Sequence, residues 1–146
     1  MVSDFHGAQD DNLSSPSGDE SGFIDLASDT FLMGQAMRQA QKAYLHGEVP
    51  VGAIIAQNGS IIARSHNQVE TLKDATAHAE MLALTQAQEA MGDWRLTDCD
   101  LYVTKEPCPM CAGAIVHCRI RRVILDVGIQ RAALPEDLSI SSNNRH

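Results

Sequence analysis

Between residues 29 and 46 the apolar positions Met33, Ala36, Met37, Ala40 and Tyr44 recur at spacings of three and four, with Arg38 and Lys42 off the stripe. That period predicts a helix over Asp29–His46 with one buried face, closed by Gly47. The period then changes. Val51 to Ala56 is a short apolar run with β-branched residues, and Ile61 to Ala63 follows it across Asn58-Gly59. Asn-Gly between two such runs predicts a hairpin. Asp74 to Thr76 supply cap-type residues ahead of a second helix over Ala77–Met91, which begins almost on His78. Leu101–Thr104 reads as a third strand. Pro107 or Pro109 opens a third helix that continues from Met110 to His117, and Val123–Val127 reads as a fourth strand. Beyond it the periodicity fades, with Leu138–Ile140 as a candidate short edge strand.

The predicted order is α-β-β-α-β-α-β. A hairpin followed by β-α-β units implies an α/β fold with one mixed sheet and helices on its faces. Val51, Ile54, Ile55, Leu101, Val103, Ile124 and Leu125 are expected to form the sheet side of the core. The first 28 residues have isolated apolar positions with no period and are rich in Asp, Ser and Gly. Such a composition cannot bury enough surface to offset chain entropy, so residues 1–28 are expected to be a disordered extension and residues 29–146 the single folded domain.

Charge changes the picture only after it is divided. The chain carries a net −8, which by itself opposes a nucleic-acid partner. Seven of its nineteen acidic residues precede residue 31, where no Lys or Arg occurs, so the remainder holds twelve acidic against eleven basic residues. The folded part is thus nearly neutral and compatible with RNA. Arg119, Arg121 and Arg122 form one basic cluster, readable as a phosphate contact or as a solvated helix end. At 4% aromatic residues, a stacking surface for long single strands is not expected. The N-terminus has neither a basic start nor an apolar core, and no apolar run approaches membrane-spanning length, so the expected location is the cytoplasm.

The candidate chemistry lies in a split pattern: His78-Ala79-Glu80, then Pro107-Cys108-Pro109-Met110-Cys111. One imidazole and two thiols make three zinc ligands, and three protein ligands leave a tetrahedral position open for water. Cys108 and Cys111, three apart, share one helix face, and a first-turn position favours thiolates. A Cys-x-x-Cys alone serves equally as a redox dithiol or a buried pair; the adjoining proline and the upstream histidine favour metal. Among other histidines, His46 and His66 lack neighbouring ligands, His117 lies nearly two turns past Cys111, and His6 and His146 are terminal. Cys99 and Cys118 are expected to be small buried residues. Glu80 either balances a helix N-terminus or carries protons for the zinc water. Residues i and i+2 do not share a helical face, so the second role requires His78 to sit at the frayed first turn.

His78-x-Glu80 with Pro107-Cys108-x-x-Cys111 matches the known signature of the zinc-dependent nucleobase deaminases. The stretches Glu48-Val49-Pro50-Val51-Gly52-Ala53, His66-Asn67, Asp74 to Glu80, Trp94-Arg95-Leu96, Leu101 to Cys108 and Met110 to Ile115 resemble, more narrowly, the bacterial tRNA adenosine deaminases within the cytidine/deoxycytidylate deaminase family. The likeness runs from about residue 31 to about 125. It implies a three-layer cytidine-deaminase-like fold, usually a homodimer with one Zn²⁺ per subunit, that converts the wobble adenosine of a tRNA anticodon to inosine. Carried over, His78, Cys108 and Cys111 bind zinc, Glu80 shuttles protons, Asn67 hydrogen-bonds the flipped nucleoside, and Val49 with Pro50 walls its pocket. Read from the residues alone, Asn67 serves equally as a turn residue and Val49-Pro50 as an extended lead into a strand. A free nucleobase or nucleoside deaminase of guanine or cytosine type shares the zinc pattern, as would a catalytically silent zinc-binding partner subunit.

Two departures stand against the resemblance. It implies a Gly-rich segment, another strand and a C-terminal helix after the fourth strand. This chain reads Asp126-Val127-Gly128-Ile129-Gln130-Arg131 and runs to His146 with no recognisable counterpart, so shortened C-terminal elements are expected. At Lys105 an apolar residue is usual; a lysine there either meets phosphate or is simply solvated.

Overall fold

A computed structural model of the chain describes residues 28–126. The acidic extension before residue 28 and everything from residue 127, including the candidate strand over Leu138–Ile140, lie outside the described residues. Helix α1 spans Asp29–Leu45 and is capped by Ser28, whose side chain accepts from the Phe31 amide at 3.0 Å. Its predicted stripe is buried through Met33, Ala36, Met37 and Ala40; Tyr44, in its last turn, is 41% exposed.

Strands β1 (Gly52–Gln57) and β2 (Ser60–His66) form the expected hairpin. Asn58 and Gly59 both take positive φ (51° and 82°), as a two-residue turn matching the strand twist requires. The register shifts between Ile55 and Ala56, which face Ala63 and Ile61, so Ile62 is the extra residue of a bulge. β2 runs to His66, beyond the predicted Ala63, because ladder pairing extends past the apolar run through Arg64 and Ser65.

A short helix α2 (Val69–Leu72) follows, then α3 (Ala79–Met91), β3 (Cys99–Val103), α4 (Pro109–His117) and β4 (Arg122–Leu125). The sheet order is β2-β1-β3-β4, antiparallel except for the parallel β3–β4 pair across α4. This is the expected mixed sheet with one additional helical turn, α2.

Alternation along β1 divides the core into two. Ala53 and Ile55 pack with Leu101 and Val103 against Ala79, Ala83, Leu84 and Ala87 of α3 and Ile115 of α4. Ile54 and Ala56 point the other way, with Tyr102, onto Leu32, Met33 and Ala36 of α1. The result is three layers, α1, sheet, and α3 with α4. Gly52 marks the closest approach of two layers, since a β-carbon there would overlap the main chain of Ala36 and Ala40. Cys99 and Cys118 are buried in the α3/α4 side of the core, and Cys118 Sγ accepts from Gln88 Nε2 at 3.1 Å.

Candidate metal centre and active site

Two helix starts aim at one point. His78 is the N-cap of α3, with extended backbone (φ −77°, ψ 153°), and Cys108 is the N-cap of α4 (φ −74°, ψ 171°), followed by Pro109 in the first turn. Each has a local cause. Asp74 accepts from the amide and hydroxyl of Thr76, both at 2.8 Å, and the Ala77 amide reaches the Asp74 carbonyl at 3.0 Å, so the loop delivers His78 in a fixed pose. Ser65 Oγ donates to the Ala79 carbonyl at 2.5 Å and ties the start of α3 to β2. On the other side, the Thr104 amide donates to the Gly52 carbonyl and the Gly52 amide to Thr104 Oγ1, both at 3.1 Å. That reciprocal pair anchors the link from β3 to α4. Asp74 and Thr76 thus build the turn before α3 and do not cap it, contrary to the sequence expectation.

His78 Nδ1 lies 3.7 Å from Cys108 Sγ and 3.5 Å from Cys111 Sγ. All three donor atoms fall within 4.8 Å of one another. A tetrahedral zinc with bonds of roughly 2.3 Å to sulfur and 2.0–2.1 Å to nitrogen has nitrogen–sulfur edges of about 3.5 Å. The donor set therefore fits that ion in chemistry and in spacing. Cys111 is fully buried, and burial, reinforced by the nearby Glu80 carboxylate, pushes its thiol well above the usual range. A dication held between the two sulfurs would oppose that shift and favour the thiolate.

Glu80 is only 4% exposed, and it lies in the first turn of α3. Because His78 stands outside the helix, the i, i+2 pair escapes the helical rule, and both side chains line one cavity. Burial pushes the Glu80 carboxyl above its ordinary value, partly opposed by its own main-chain amide and by His78.

That cavity has a volume of about 340 Å³, at the small end of the roughly 300–1,000 Å³ typical of small-molecule sites. His78, Glu80 and Cys108 form its floor; Asn67, Val49 and Val51 contribute to its walls, and Glu70, Lys105 and Glu106 also line it. Asn67 is buried, its main-chain N–H donating to the Val51 carbonyl at 3.1 Å. Pro50 does not line the cavity. It is the apex of a tight turn closed by the Val51 amide on the Val49 carbonyl (2.8 Å), and the two valines flanking it take the wall.

Sequence pattern alone assigns Glu48 no role. It is buried, lines the cavity, and accepts from the amides of Glu70 (3.0 Å) and Thr71 (2.6 Å) and from the Thr71 hydroxyl (2.6 Å). These bonds, the Thr71 hydroxyl foremost, hold its carboxyl below the usual range and fix the start of α2. No local pattern announces a cap supplied from 22 residues upstream.

Two arginines of the basic cluster are ion-paired within the fold. Arg121 and Arg122 pair with buried Asp100 at 2.7 and 2.9 Å, and Arg122 also reaches Asp29 at 3.2 Å. Arg119 lies near Trp94, its guanidinium carbon 5.7 Å from the ring centroid, with Arg95 stacked closer at 4.5 Å. His46 and His66 stack on each other at 5.9 Å, outside the donor triangle.

Comparison with known proteins agrees with this geometry. Residues 26–127 match the family described as the cytidine and deoxycytidylate deaminase zinc-binding region. The chain is 50% identical over 99 residues to the tRNA-specific adenosine deaminase of Bacillus subtilis, covering 68% of this chain and 62% of that protein. It is 52% identical over 94 residues to the tRNA-specific adenosine deaminase of Aquifex aeolicus, covering 64% and 62%. The chain thus spans less than two thirds of the length of both relatives. Among solved structures, a tRNA:A34 deaminase studied for A-to-I editing at the wobble position superposes with a TM-score of 0.63 at 42% identity, over 73% of this chain and 89% of that one. The guanine deaminase of Bacillus subtilis superposes with a TM-score of 0.66 at 38% identity, over 73% and 68%. With the nitrogen–sulfur–sulfur triangle, the buried carboxylate beside it and the match over most of the chain, this protein belongs to the cytidine and deoxycytidylate deaminase family.

Proposed function

We propose that the chain hydrolyses adenosine to inosine at the wobble position of a tRNA anticodon, releasing ammonia, with His78, Cys108 and Cys111 as ligands of one zinc ion per subunit. The observation that carries the hydrolytic reading is the convergence of Nδ1 and two sulfurs beside Glu80, a buried carboxylate outside the donor set. The substrate assignment is supported by two relatives named for tRNA adenosine, both at 50% identity or more.

When bound, zinc supplies Lewis acidity that brings the pKa of a coordinated water to about 7. The chain's own residues do the rest. Asn67 and the Val49/Val51 wall hold the extruded base with C6 toward the floor. Glu80 takes a proton from the attacking water and delivers it to ring N1, breaking the aromatic C6–N1 double bond as the C6–O bond forms. It then passes the hydroxyl proton to the amine at C6; the C6–N bond breaks, ammonia leaves, and the ring carbonyl of inosine remains. A carboxyl held above its ordinary range by burial suits this two-way traffic. A base in an anticodon loop is cheap to extrude, because little pairing is lost.

Assembly as a homodimer in the cytoplasm completes the reading. Helix α4 carries no Asp, Glu, Lys or Arg, yet it exposes Met110, Ala112, Gly113 and Val116, a surface suited to a second copy. No helix of the described residues is long and apolar enough to cross a membrane.

The guanine deaminase neighbour favours one competing reading, deamination of a free base. Incubating the zinc-loaded full chain with an anticodon stem-loop bearing adenosine, and separately with free guanine, cytosine and adenosine, decides between them. Inosine in the RNA is the expected product; turnover of a free base with none in the RNA transfers the assignment to the competitor.

A further inference from the structure

The charge around the cavity is lopsided. Four carboxylates line it, Glu48, Glu70, Glu80 and Glu106, against a single cation among the described residues, Lys105. Glu48 is committed to the amides that open α2, and Glu80 is buried on the floor. A polyanion approaching the mouth therefore meets the two exposed acids, Glu70 and Glu106, and Lys105. Of the three arginines in the basic cluster, Arg121 and Arg122 are engaged on Asp100 and Asp29, and Arg119, beside Trp94, does not line the cavity. Lys105 makes no hydrogen bond or ion pair among the described residues, and its side chain is exposed.

The backbone that carries it is nonetheless held in place. Lys105 lies between Thr104, locked to Gly52 by two hydrogen bonds, and Cys108 in the donor triangle. A base whose C6 faces that triangle puts its ribose, and the phosphates on either side, at the mouth. We propose that Lys105 is a positioning residue for RNA, its ammonium pairing with a phosphate that flanks the nucleoside seated in the cavity. The inference rests on the RNA reading given above and adds to it a charge contact that no free base can make.

Lysine meets phosphate as a point charge, so its signature is salt dependence. The test is binding of a fluorescent anticodon stem-loop to the full chain and to Lys105→Leu and Lys105→Arg variants, between 50 and 500 mM KCl. Each phosphate contact to a single strand contributes a slope of about −0.7 in log K against log salt, so tenfold salt should weaken the wild type about fivefold more than Lys105→Leu. Lys105→Arg should restore the slope, and zinc content should be equal in all three. Replacing the two phosphates beside the wobble adenosine by methylphosphonates should weaken the wild type and leave Lys105→Leu unchanged. Equal slopes, or equal weakening by methylphosphonate, would overturn the role of Lys105 while inosine formation left the RNA reading standing. A wild type that deaminates free bases and no RNA would sink both together.

Discussion

At the scale of single residues, the site depends on where each side chain stands relative to a helix start. Glu80 shares a cavity with His78 only because His78 is extended and outside α3. Glu80→Gln keeps the shape and removes the proposed proton carrier, so zinc content should stay at one per chain while ammonia release falls by roughly 10²–10⁴-fold; turnover near wild type would dismiss the role. The four cysteines separate as cleanly. Cys111→Ser removes a donor from the triangle and should lose zinc by elemental analysis, whereas Cys99→Ser, in the α3/α4 core, should retain it. The convergence of His78, Cys108 and Cys111 was legible in sequence from their residue types and spacing. The placing of Glu80 in the same cavity was legible on condition that His78 sat at the very start of the helix. Glu48 was not, since its partners at Glu70 and Thr71 are brought to it by the chain's return through the hairpin.

At the scale of elements, periodicity and turn signals found every described helix and strand except α2. The three-and-four stripe of α1 and the Asn-Gly turn survive because burial and turn geometry impose them on the residues. Helix α2 is a single turn whose N-cap, Gln68, makes no side-chain bond, so nothing local marks it. The pairing of Arg121 and Arg122 with Asp100 was equally hidden, because only the parallel register of β4 on β3 sets Arg122 opposite Asp100. Two glycines give a paired test of layer packing. A side chain at Gly52 meets the main chain of α1, which cannot step aside as a rotamer could. Gly52→Ala should cost about 3 kcal/mol and lower Tm by on the order of 10 °C. Gly34→Ala, in α1 with nothing near its β-position, should be neutral or stabilising by up to about 1 kcal/mol. Similar Tm values for the two variants in thermal denaturation would show that α1 is not seated on β1 in this way.

At the scale of the whole molecule, one polar network joins the first described element to the last. Tyr102 donates to Asp29 at 2.6 Å, Arg122 reaches Asp29, Asp100 and the Tyr102 hydroxyl, and Asp100 leaves one buried oxygen without a partner among the described residues. The Tyr102 hydroxyl first, then Arg122, holds the Asp29 carboxyl below its ordinary value of 3.8. A depressed carboxyl stabilises the fold above its unfolded pKa, and that share is lost as pH falls through the folded value. Asp29 is half exposed, so the discounted contribution is about 0.5 kcal/mol. Asp29→Asn should therefore lower Tm by about 2 °C at pH 7 and show a shallower decline than wild type between pH 4 and pH 2. Parallel declines would remove Asp29 from the acid response.

The reciprocal bonds between Gly52 and Thr104 carry one more consequence. They join strand β1 directly to the backbone that presents Cys108, so an ion seated on the sulfurs would restrain a scaffold amide it never touches. Deuterium uptake at these two positions becomes a gauge of occupancy, slow in the loaded protein and faster after chelation, readable without any substrate.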